Sequence, residues 1–145
     1  MTGVPRSRPG ASTLLSPIEY RRLSEFRYLI RRFSAFSEAA ATRAGLTKRQ
    51  HQALLAIKGV RQGTLPTVGY LAERLQIQHH SAVELVDRLK EAGLIVREHD
   101  PDDRRRVKLE LTRVAEACLA ELSASHLQEL HRIGPALLAI LKQAD

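Results

Sequence analysis

Residues 99–112 read HDPDDRRRVKLELT, a segment in which three aspartates and three arginines precede a regular alternation of apolar and polar residues. Aspartate and proline favour turns. The alternation that follows, with a period of two, is typical of a half-buried strand, and its apolar positions are Val107, Leu109 and Leu111. Another short apolar run, Leu94-Ile95-Val96, stands before the charges. The stretch therefore predicts a β-hairpin with a densely charged tip.

Two helical patterns come directly before this hairpin. Thr67 can cap a short helix whose predicted buried face is Val68, Leu71, Ala72 and Leu75. A longer helix is predicted from about His79 to Ala92, with Gly93 as its stop and apolar positions at Ala82, Val83, Val86 and Leu89. The turn between them is Gln76-Ile77-Gln78. A short helix, a tight turn and a longer helix predict a helix-turn-helix, which the charged hairpin extends to a winged helix-turn-helix.

Two further helices are predicted upstream. The segment Ser16-Pro17-Ile18-Glu19 is a capping box, and the apolar stripe behind it consists of Leu23, Phe26, Ile30 and Phe33. That stripe suits a long helix that packs on another helix, including one from a second subunit, and Gly45 can end it. A second capping box, Thr47 to Gln50, opens a helix with Ala53, Leu54 and Ile57 on its apolar side.

The last part of the chain is also predicted to be helical. Thr112 can cap a helix that continues to about His131 and buries Val114, Ala115, Cys118, Leu119 and Leu122. We expect Gly134-Pro135 to break it, since proline removes a helical hydrogen bond. A final apolar helix is then predicted at residues 136–141.

Length and composition favour a single folded domain. The chain has 145 residues, 43% of them hydrophobic and 27% charged, and no apolar run approaches the roughly 18 residues of a membrane span. Residues 1–15 carry Pro, Gly, Ser and Arg and contain no apolar core of a signal peptide. They are therefore predicted to be a disordered basic tail. A single cysteine cannot form an internal disulfide, so a cytoplasmic location is expected. The lack of a long apolar run predicts no membrane association.

The positive charge is unevenly distributed. The net charge is +7, residues 1–32 contain seven arginines against two glutamates, and residues 39–72 contain no acidic residue. From residue 113 onward, three basic residues face four acidic ones. The basic part therefore favours a polyanion as partner, whereas the C-terminal part does not.

Four segments resemble the MarR family of bacterial transcriptional regulators, in the order expected: GLTKRQHQALLAI (45–57), LAERLQI (71–77), VDRLKEAGLI (86–95) and DPDDRRRVKLELT (100–112). The last resembles the D-P-x-D-R-R wing signature of that family. The resemblance implies a mainly α-helical fold with a small β-hairpin wing. It also implies a homodimer on a pseudo-palindromic double-stranded DNA operator, usually as a repressor, and in many members release by a small ligand or an oxidant. The domains would be a tail (1–15), an N-terminal dimerisation helix (16–45), a winged helix-turn-helix (46–112) and C-terminal dimerisation helices (113–145).

The recognition helix supplies candidate base-reading residues, namely Gln78, His79, His80, Ser81 and Glu84. Glutamine can pair with adenine, serine with several base edges, and glutamate with cytosine, while histidine can donate to guanine or phosphate. Glu84 departs from the polar or basic residue that is common in similar proteins. It either reads a base or pairs with Arg88 four residues on. The alternative for the whole set is a solvated helix face.

The wing supplies Arg104 and Arg105, which match the two arginines of the family signature, and Arg106 as a third candidate. A narrow minor groove attracts an inserted guanidinium, so we expect one of the first two to enter it and the other to lie near phosphate. Asp100 and Asp103 would orient a guanidinium or close the turn. The alternative is an exposed tip whose charges cancel. Further phosphate contacts are expected from Lys48, Arg49, the helix start at Thr67, and Arg88 or Arg97.

Other functions have less support in the sequence. No two of the six histidines have the i, i+4 spacing of a helical metal site, and we expect no metal and no cofactor. Catalytic motifs are absent as well, so no enzyme is expected. Cys118 lies on an apolar stripe and is expected to be structural.

An effector site cannot be assigned from the sequence. Phe33, Phe36, His51 and the arginines of the first helix could line a pocket for an anionic aromatic ligand, or could be core and solvated surface. A winged helix used as a protein-interaction module and a ligand-insensitive DNA-binding protein remain alternative functions.

Overall fold

The computed structural model describes residues 14–142, and the elements follow in the order helix, helix, helix, helix, hairpin, helix. They are α1 (Pro17–Arg43), α2 (Lys48–Lys58), α3 (Val68–Leu75), α4 (His79–Glu91), β1 (Ile95–His99), β2 (Val107–Leu111) and α5 (Arg113–Lys142). Of the predicted disordered tail, residues 1–13 lie outside the described residues. Within residues 14–142, none of the helices has the length and hydropathy needed to span a bilayer.

Both predicted capping boxes are present. The Ser16 hydroxyl accepts from the Glu19 amide at 3.3 Å, and the Glu19 carboxylate accepts from the Ser16 amide at 2.7 Å. Thr47 and Gln50 make the same reciprocal pair at 3.1 and 3.0 Å. After α1 ends, Gly45 adopts a φ of 79°, a left-handed conformation that glycine reaches without steric cost. These local signals fix where α1 and α2 begin and how the chain turns between them.

The predicted helix-turn-helix is confirmed. Thr67 caps α3 by accepting the Tyr70 amide at 3.1 Å, and Gln76 ends the helix in the left-handed region at a φ of 54°. The predicted positions Leu71, Ala72, Ala82, Val86 and Leu89 are buried, and so is Leu85, which the apolar pattern left out. The buried faces of α3 and α4 join one core with α2, β1, β2 and α5. The opposite face of α4 is thereby left to solvent.

The hairpin is antiparallel, with Ile95 opposite Leu111, Arg97 opposite Leu109 and His99 opposite Val107. Ile95 and Leu109 are each 1% exposed and anchor the hairpin to the core. The Leu109 amide also donates to the Pro66 carbonyl at 2.8 Å, which joins β2 to the segment just before α3. The tip therefore projects from a firmly held base.

The predicted break in the last helix is wrong. Helix α5 runs without interruption from Arg113 to Lys142 and contains Pro135 inside it. Proline inside a helix costs about 3 kcal/mol, so other contacts must hold this segment helical. Ile133 is buried, and the Arg22 guanidinium donates two hydrogen bonds, of 3.0 and 2.8 Å, to the Ile140 carbonyl. The burial of Ile133 on one side of the proline and the hydrogen bonds from Arg22 of α1 on the other side oppose a break.

The predicted buried face of α5 also needs one correction. Ala115, Leu119 and Leu122 are buried as expected and Cys118 is half-buried, but Val114 is 70% exposed. Thr112 caps the helix as predicted, accepting the Ala115 amide at 3.3 Å, and its hydroxyl donates to the Gly93 carbonyl at 2.7 Å. Val114 follows the cap directly, and the buried residue is its neighbour Ala115.

The apolar stripe of α1 is not covered within the chain. Leu23, Phe26 and Ile30 are 57%, 40% and 42% exposed, whereas Leu29 is buried. Helix α5 likewise leaves large apolar side chains in solvent, namely Leu127, Leu130, Leu138 and Leu141. We call these seven exposed side chains of α1 and α5 the outer apolar face. An apolar surface of this extent is typical of an interface with another macromolecule.

Candidate nucleic-acid interface

The N-terminal end of α4 is an open, polar helix start. Gln78 is the N-cap, but its side chain makes no capping hydrogen bond, and the first turn contains no acidic residue. Gln78, His79 and His80 are exposed and Ser81 is half-buried. The free amides and the positive end of the helix dipole point to the same region as these side chains. The arrangement suits an anionic or hydrogen-bonding partner.

Farther along α4, Glu84 and Arg88 are both exposed. The intrahelical ion pair between them, one of the two predicted alternatives for Glu84, is absent from the part of the chain that the structure describes. Both side chains are therefore available to a partner on the exposed face of α4.

Hydrogen bonds to the backbone close the tip of the hairpin. One Asp103 carboxylate oxygen accepts the Arg105 amide at 3.0 Å, and the Asp103 carbonyl accepts the Arg106 amide at 3.0 Å. Asp100 accepts the Asp102 amide at 3.0 Å through its carboxylate, while its own amide donates to the Arg106 carbonyl at 2.9 Å. Aspartates that bond to backbone two residues on form a standard turn motif. Of the two predicted roles for Asp100 and Asp103, these contacts correspond to closing the turn.

The three tip arginines are left without carboxylate partners. Arg104, Arg105 and Arg106 are exposed, and none of them takes part in an ion pair within residues 14–142. The Asp100 and Asp103 carboxylates bond to backbone amides instead. The tip thus presents three free guanidinium groups on a shaped turn.

An ion pair joins the hairpin to α4. Arg97 on β1 donates to the Asp87 carboxylate on α4 at 2.7 Å. The Arg97 side chain is 33% exposed, so solvent screens the pair and its contribution to stability is small. The pair does show that β1 and α4 lie side by side. It also occupies Arg97, one of the two alternatives for a phosphate contact.

The other predicted phosphate contacts lie at the starts of α2 and α3. Lys48 and Arg49 occupy the first turn of α2, are exposed, and have no acidic neighbour in that turn. Thr67 is half-buried and uses its hydroxyl to cap α3. The backbone amides at the start of α3, rather than the Thr67 hydroxyl, are therefore the groups available to bind an anion.

A cluster of aromatic rings lies where α1, α2 and α5 meet. The His126 ring lies 5.8 Å from Phe33, 5.2 Å from Phe36 and 4.9 Å from His51, between ring centroids. His51 is 3% exposed. Burial lowers the pKa of His51, and the nearby His126 lowers it further. Phe33, Phe36 and His51 therefore do come together, but around a histidine that the sequence analysis did not single out.

The apolar period of α5 could have identified His126. Ala115, Leu119 and Leu122 are buried at spacings of four and three, and the next position of that stripe is residue 126. A histidine on a buried stripe needs hydrogen-bond partners from neighbouring elements.

Metal ligation is not indicated in the described part of the chain. Residues 14–142 contain no group of three or more histidine, cysteine, aspartate or glutamate side chains that could hold a metal ion. Cys118 is half-buried and packs against the hydrophobic core.

A family model and two curated relatives, all of them describing transcriptional regulators, match this chain. Residues 44–106 match the model described as MarR family. The uncharacterised HTH-type transcriptional regulator YcgE of Bacillus subtilis (strain 168) is 36% identical over 92 residues, which cover 63% of this chain and 58% of that protein. The match thus spans less than two thirds of this relative. A candidate transcriptional regulatory protein for the hcr operon of Thauera aromatica is 28% identical over 132 residues, covering 86% of this chain and 76% of that protein.

Solved structures show the same fold. A MarR family protein from Bacillus stearothermophilus has a TM-score of 0.69 at 22% identity, covering 83% of this chain and 82% of that one. A mutant of S. aureus MepR bound to an oligodeoxyribonucleotide has a TM-score of 0.58 at 21% identity, covering 87% and 98%. CouR from Rhodococcus jostii RHA1 bound to p-coumaroyl-CoA has a TM-score of 0.59 at 24% identity, covering 77% and 79%.

Proposed function

The chain belongs to the MarR family of transcriptional regulators through residues 44–106, and we propose that it acts as a homodimeric, sequence-specific repressor that binds double-stranded DNA. The observation that carries the proposal is the wing tip. There, three exposed arginines have no carboxylate partner within residues 14–142, while Asp100 and Asp103 bond to backbone amides.

The wing is proposed to meet the minor groove. A narrow minor groove concentrates negative potential, and a guanidinium on an extended turn can enter it. Arg104 or Arg105 inserts, the other of the two lies near phosphate, and Arg106 is the third candidate. The turn keeps its aspartates bonded to backbone, so the carboxylates shape the tip and the guanidiniums face the DNA.

The exposed face of α4 is proposed to read the major groove. Gln78, His79, His80 and Ser81 cluster at the helix start, as in other helix-turn-helix proteins, and Glu84 is available to accept from cytosine. The wing strand and α4 lie side by side at the ion pair between Arg97 and Asp87, so both can engage one half-site together. Lys48, Arg49, Arg88 and the amides after Thr67 would hold phosphates on either side.

Dimerisation is proposed to occur through the outer apolar face. It lies on α1 and α5, the two long helices that flank the winged domain, and its members are large side chains in solvent. A second copy would bury this surface and place two winged domains side by side. Two half-sites one helical turn apart, about 34–36 Å, then make the operator pseudo-palindromic.

The molecules bound in two structures of similar fold support the proposal by analogy. The MepR structure contains an oligodeoxyribonucleotide, and the CouR structure contains p-coumaroyl-CoA. A small ligand that releases this chain from DNA is therefore part of the proposal. A ligand-insensitive regulator would bind the same operator and differ only in lacking release.

A selection of bound fragments from random DNA tests the proposal. The expected product is one pseudo-palindromic sequence, bound by a dimer and lost when Arg104 and Arg105 are both changed to alanine. Changing Arg132 of α5, which pairs with Glu129, to alanine removes a positive charge away from the wing and is the control. Enrichment of no sequence would contradict DNA recognition and favour the protein-interaction alternative. A reporter gene behind the selected operator should be repressed, and activation would contradict the repressor assignment.

A further inference from the structure

One buried contact connects the winged domain to the flanking helices through two histidines. His51 comes from α2, which packs within the winged domain, and His126 comes from α5. Their rings are 4.9 Å apart between centroids. We call these two side chains the imidazole pair. Helix α1 covers His126 with Phe33 and Phe36.

The hydrogen bonds of His126 define which proton it holds. Its Nδ1 lies 2.6 Å from the Leu122 carbonyl, which can only accept, so Nδ1 carries a hydrogen. Its Nε2 lies 2.8 Å from the Ser37 hydroxyl, which can either donate or accept. His126 can therefore be neutral or charged without losing a hydrogen bond.

His51 differs, because its surroundings oppose a positive charge. It is almost fully buried, and burial followed by the charge of His126 lowers its pKa. The groups that face His126 are Phe33, Phe36 and Ser37 from α1 and His51 from α2, and only His51 among them titrates. No carboxylate is among these neighbours to offset a second proton.

We propose that the imidazole pair is an acid-sensitive contact, in which proton uptake separates α2 from α5 and thereby weakens DNA binding. Two imidazolium ions this close repel each other, and hydration of His51 relieves the repulsion only if α2 moves away from α5. Helix α2 contacts α3 and α4, so its displacement moves the recognition helix, while β2 contacts both α2 and α5. In a dimer the distance between the two recognition helices then no longer matches the operator. This inference rests on the proposed function.

The sign of the effect follows from the lowered pKa of His51. In a separated or unfolded state His51 has its ordinary pKa near 6.5, above its value in the closed contact. The closed contact is fully stable above pH 6.5 and loses stability as the pH falls below it. Any gain of positive charge on the DNA-facing surface in acid would strengthen phosphate binding rather than weaken it. A loss of affinity in acid therefore points to the buried pair.

The variant His51→Phe tests the inference, since it keeps an aromatic ring and removes the titrating group. Operator affinity is measured by fluorescence anisotropy from pH 7.5 to 5.5 at constant salt. If each subunit takes up one proton on release, wild-type affinity falls by about 10- to 100-fold per pH unit below 6.5. The variant should match wild type at pH 7.5 and change much less in acid.

A measurement without DNA separates this inference from the proposed function. The imidazole proton resonances of the free protein should show His51 titrating below pH 6.5, and His126→Gln should raise the pKa of His51. If His51→Phe does not fold, His126→Gln removes the same repulsion while its amide can still reach Ser37, and should also reduce the acid loss. Equal acid losses in wild type and in these variants would overturn the inference. Failure to bind DNA at any pH would instead contradict the proposed function. A His51 pKa that is the same in the wild type and in His126→Gln would still overturn the pair.

Discussion

Changing Asp103 to alanine tests whether the wing aspartates shape the turn or merely repel DNA. The substitution removes the carboxylate oxygen that accepts the Arg105 amide at 3.0 Å, together with one negative charge. Asp103→Asn removes the same charge but keeps an oxygen that can accept this bond. Asp102→Ala removes a charge from a side chain that makes no hydrogen bond within residues 14–142. The three variants therefore separate charge from shape.

Loss of the hydrogen bond should weaken operator binding, whereas loss of the negative charge should strengthen it by a smaller amount. An exposed hydrogen bond of this kind contributes about 1 kcal/mol, and a dimer loses two of them. A carboxylate roughly 10 Å from a phosphate repels it by about 0.4 kcal/mol in water, reduced to about 0.15 kcal/mol by 0.1 M salt. The lost hydrogen bond should outweigh the lost repulsion, so Asp103→Ala should weaken operator binding by about 5- to 30-fold. Asp103→Asn and Asp102→Ala should bind within about twofold of wild type, on the tighter side.

Fluorescence anisotropy on the selected operator, at fixed pH and salt, measures all three affinities. Sedimentation velocity verifies that each variant is still a dimer. If Asp103→Ala binds as tightly as Asp102→Ala, the carboxylate does not support the turn that presents the arginines, and the reasoning is refuted. If Asp103→Asn is as weak as Asp103→Ala, the charge rather than the accepted bond is what matters.

Three further predictions concern the scaffold. Leu109→Ala should lower the free energy of unfolding by about 2–5 kcal/mol in urea titration, because the side chain is fully buried, whereas the exposed Val96→Ala should change it by less than about 0.5 kcal/mol. Phe26→Glu should convert the dimer to monomer in sedimentation velocity, and Leu55→Glu, at a more exposed apolar site on α2, should not. A dimeric Phe26→Glu would contradict the outer apolar face as interface. Pro135→Ala should raise the free energy of unfolding by up to about 3 kcal/mol by restoring a helical hydrogen bond, and a decrease would show that the proline is needed there.

Local sequence signals predicted the parts of the fold that local chemistry determines. Ser16, Thr47 and Thr67 cap their helices, and each hydroxyl accepts a hydrogen bond from the backbone amide three residues later. The alternation of apolar and polar residues around Leu109 predicts which face of β2 packs on the core, and Leu109 is indeed buried. Such signals need no knowledge of the rest of the chain.

The remaining features depend on contacts between distant residues. Pro135 lies inside a helix whose segment after the proline is held to α1 by the bond from Arg22, which spans 118 positions of the chain. The position of His126 beside His51 likewise follows from how α5 crosses α2. At the wing, the sequence showed that aspartates and arginines are adjacent, but only the turn geometry shows that Asp103 bonds to an amide rather than to a guanidinium.

The salt dependence of operator binding by Arg105→Ala tests the central claim most directly. For wild type, the logarithm of the binding constant should fall steeply with the logarithm of salt concentration. Arg105→Ala should weaken binding by about 1–3 kcal/mol and make that slope shallower by about two, since a dimer loses two cations near the DNA backbone. Arg132→Ala on α5 should leave both quantities unchanged. An Arg105→Ala protein with wild-type affinity and wild-type slope would contradict the claim that the wing arginines contact DNA.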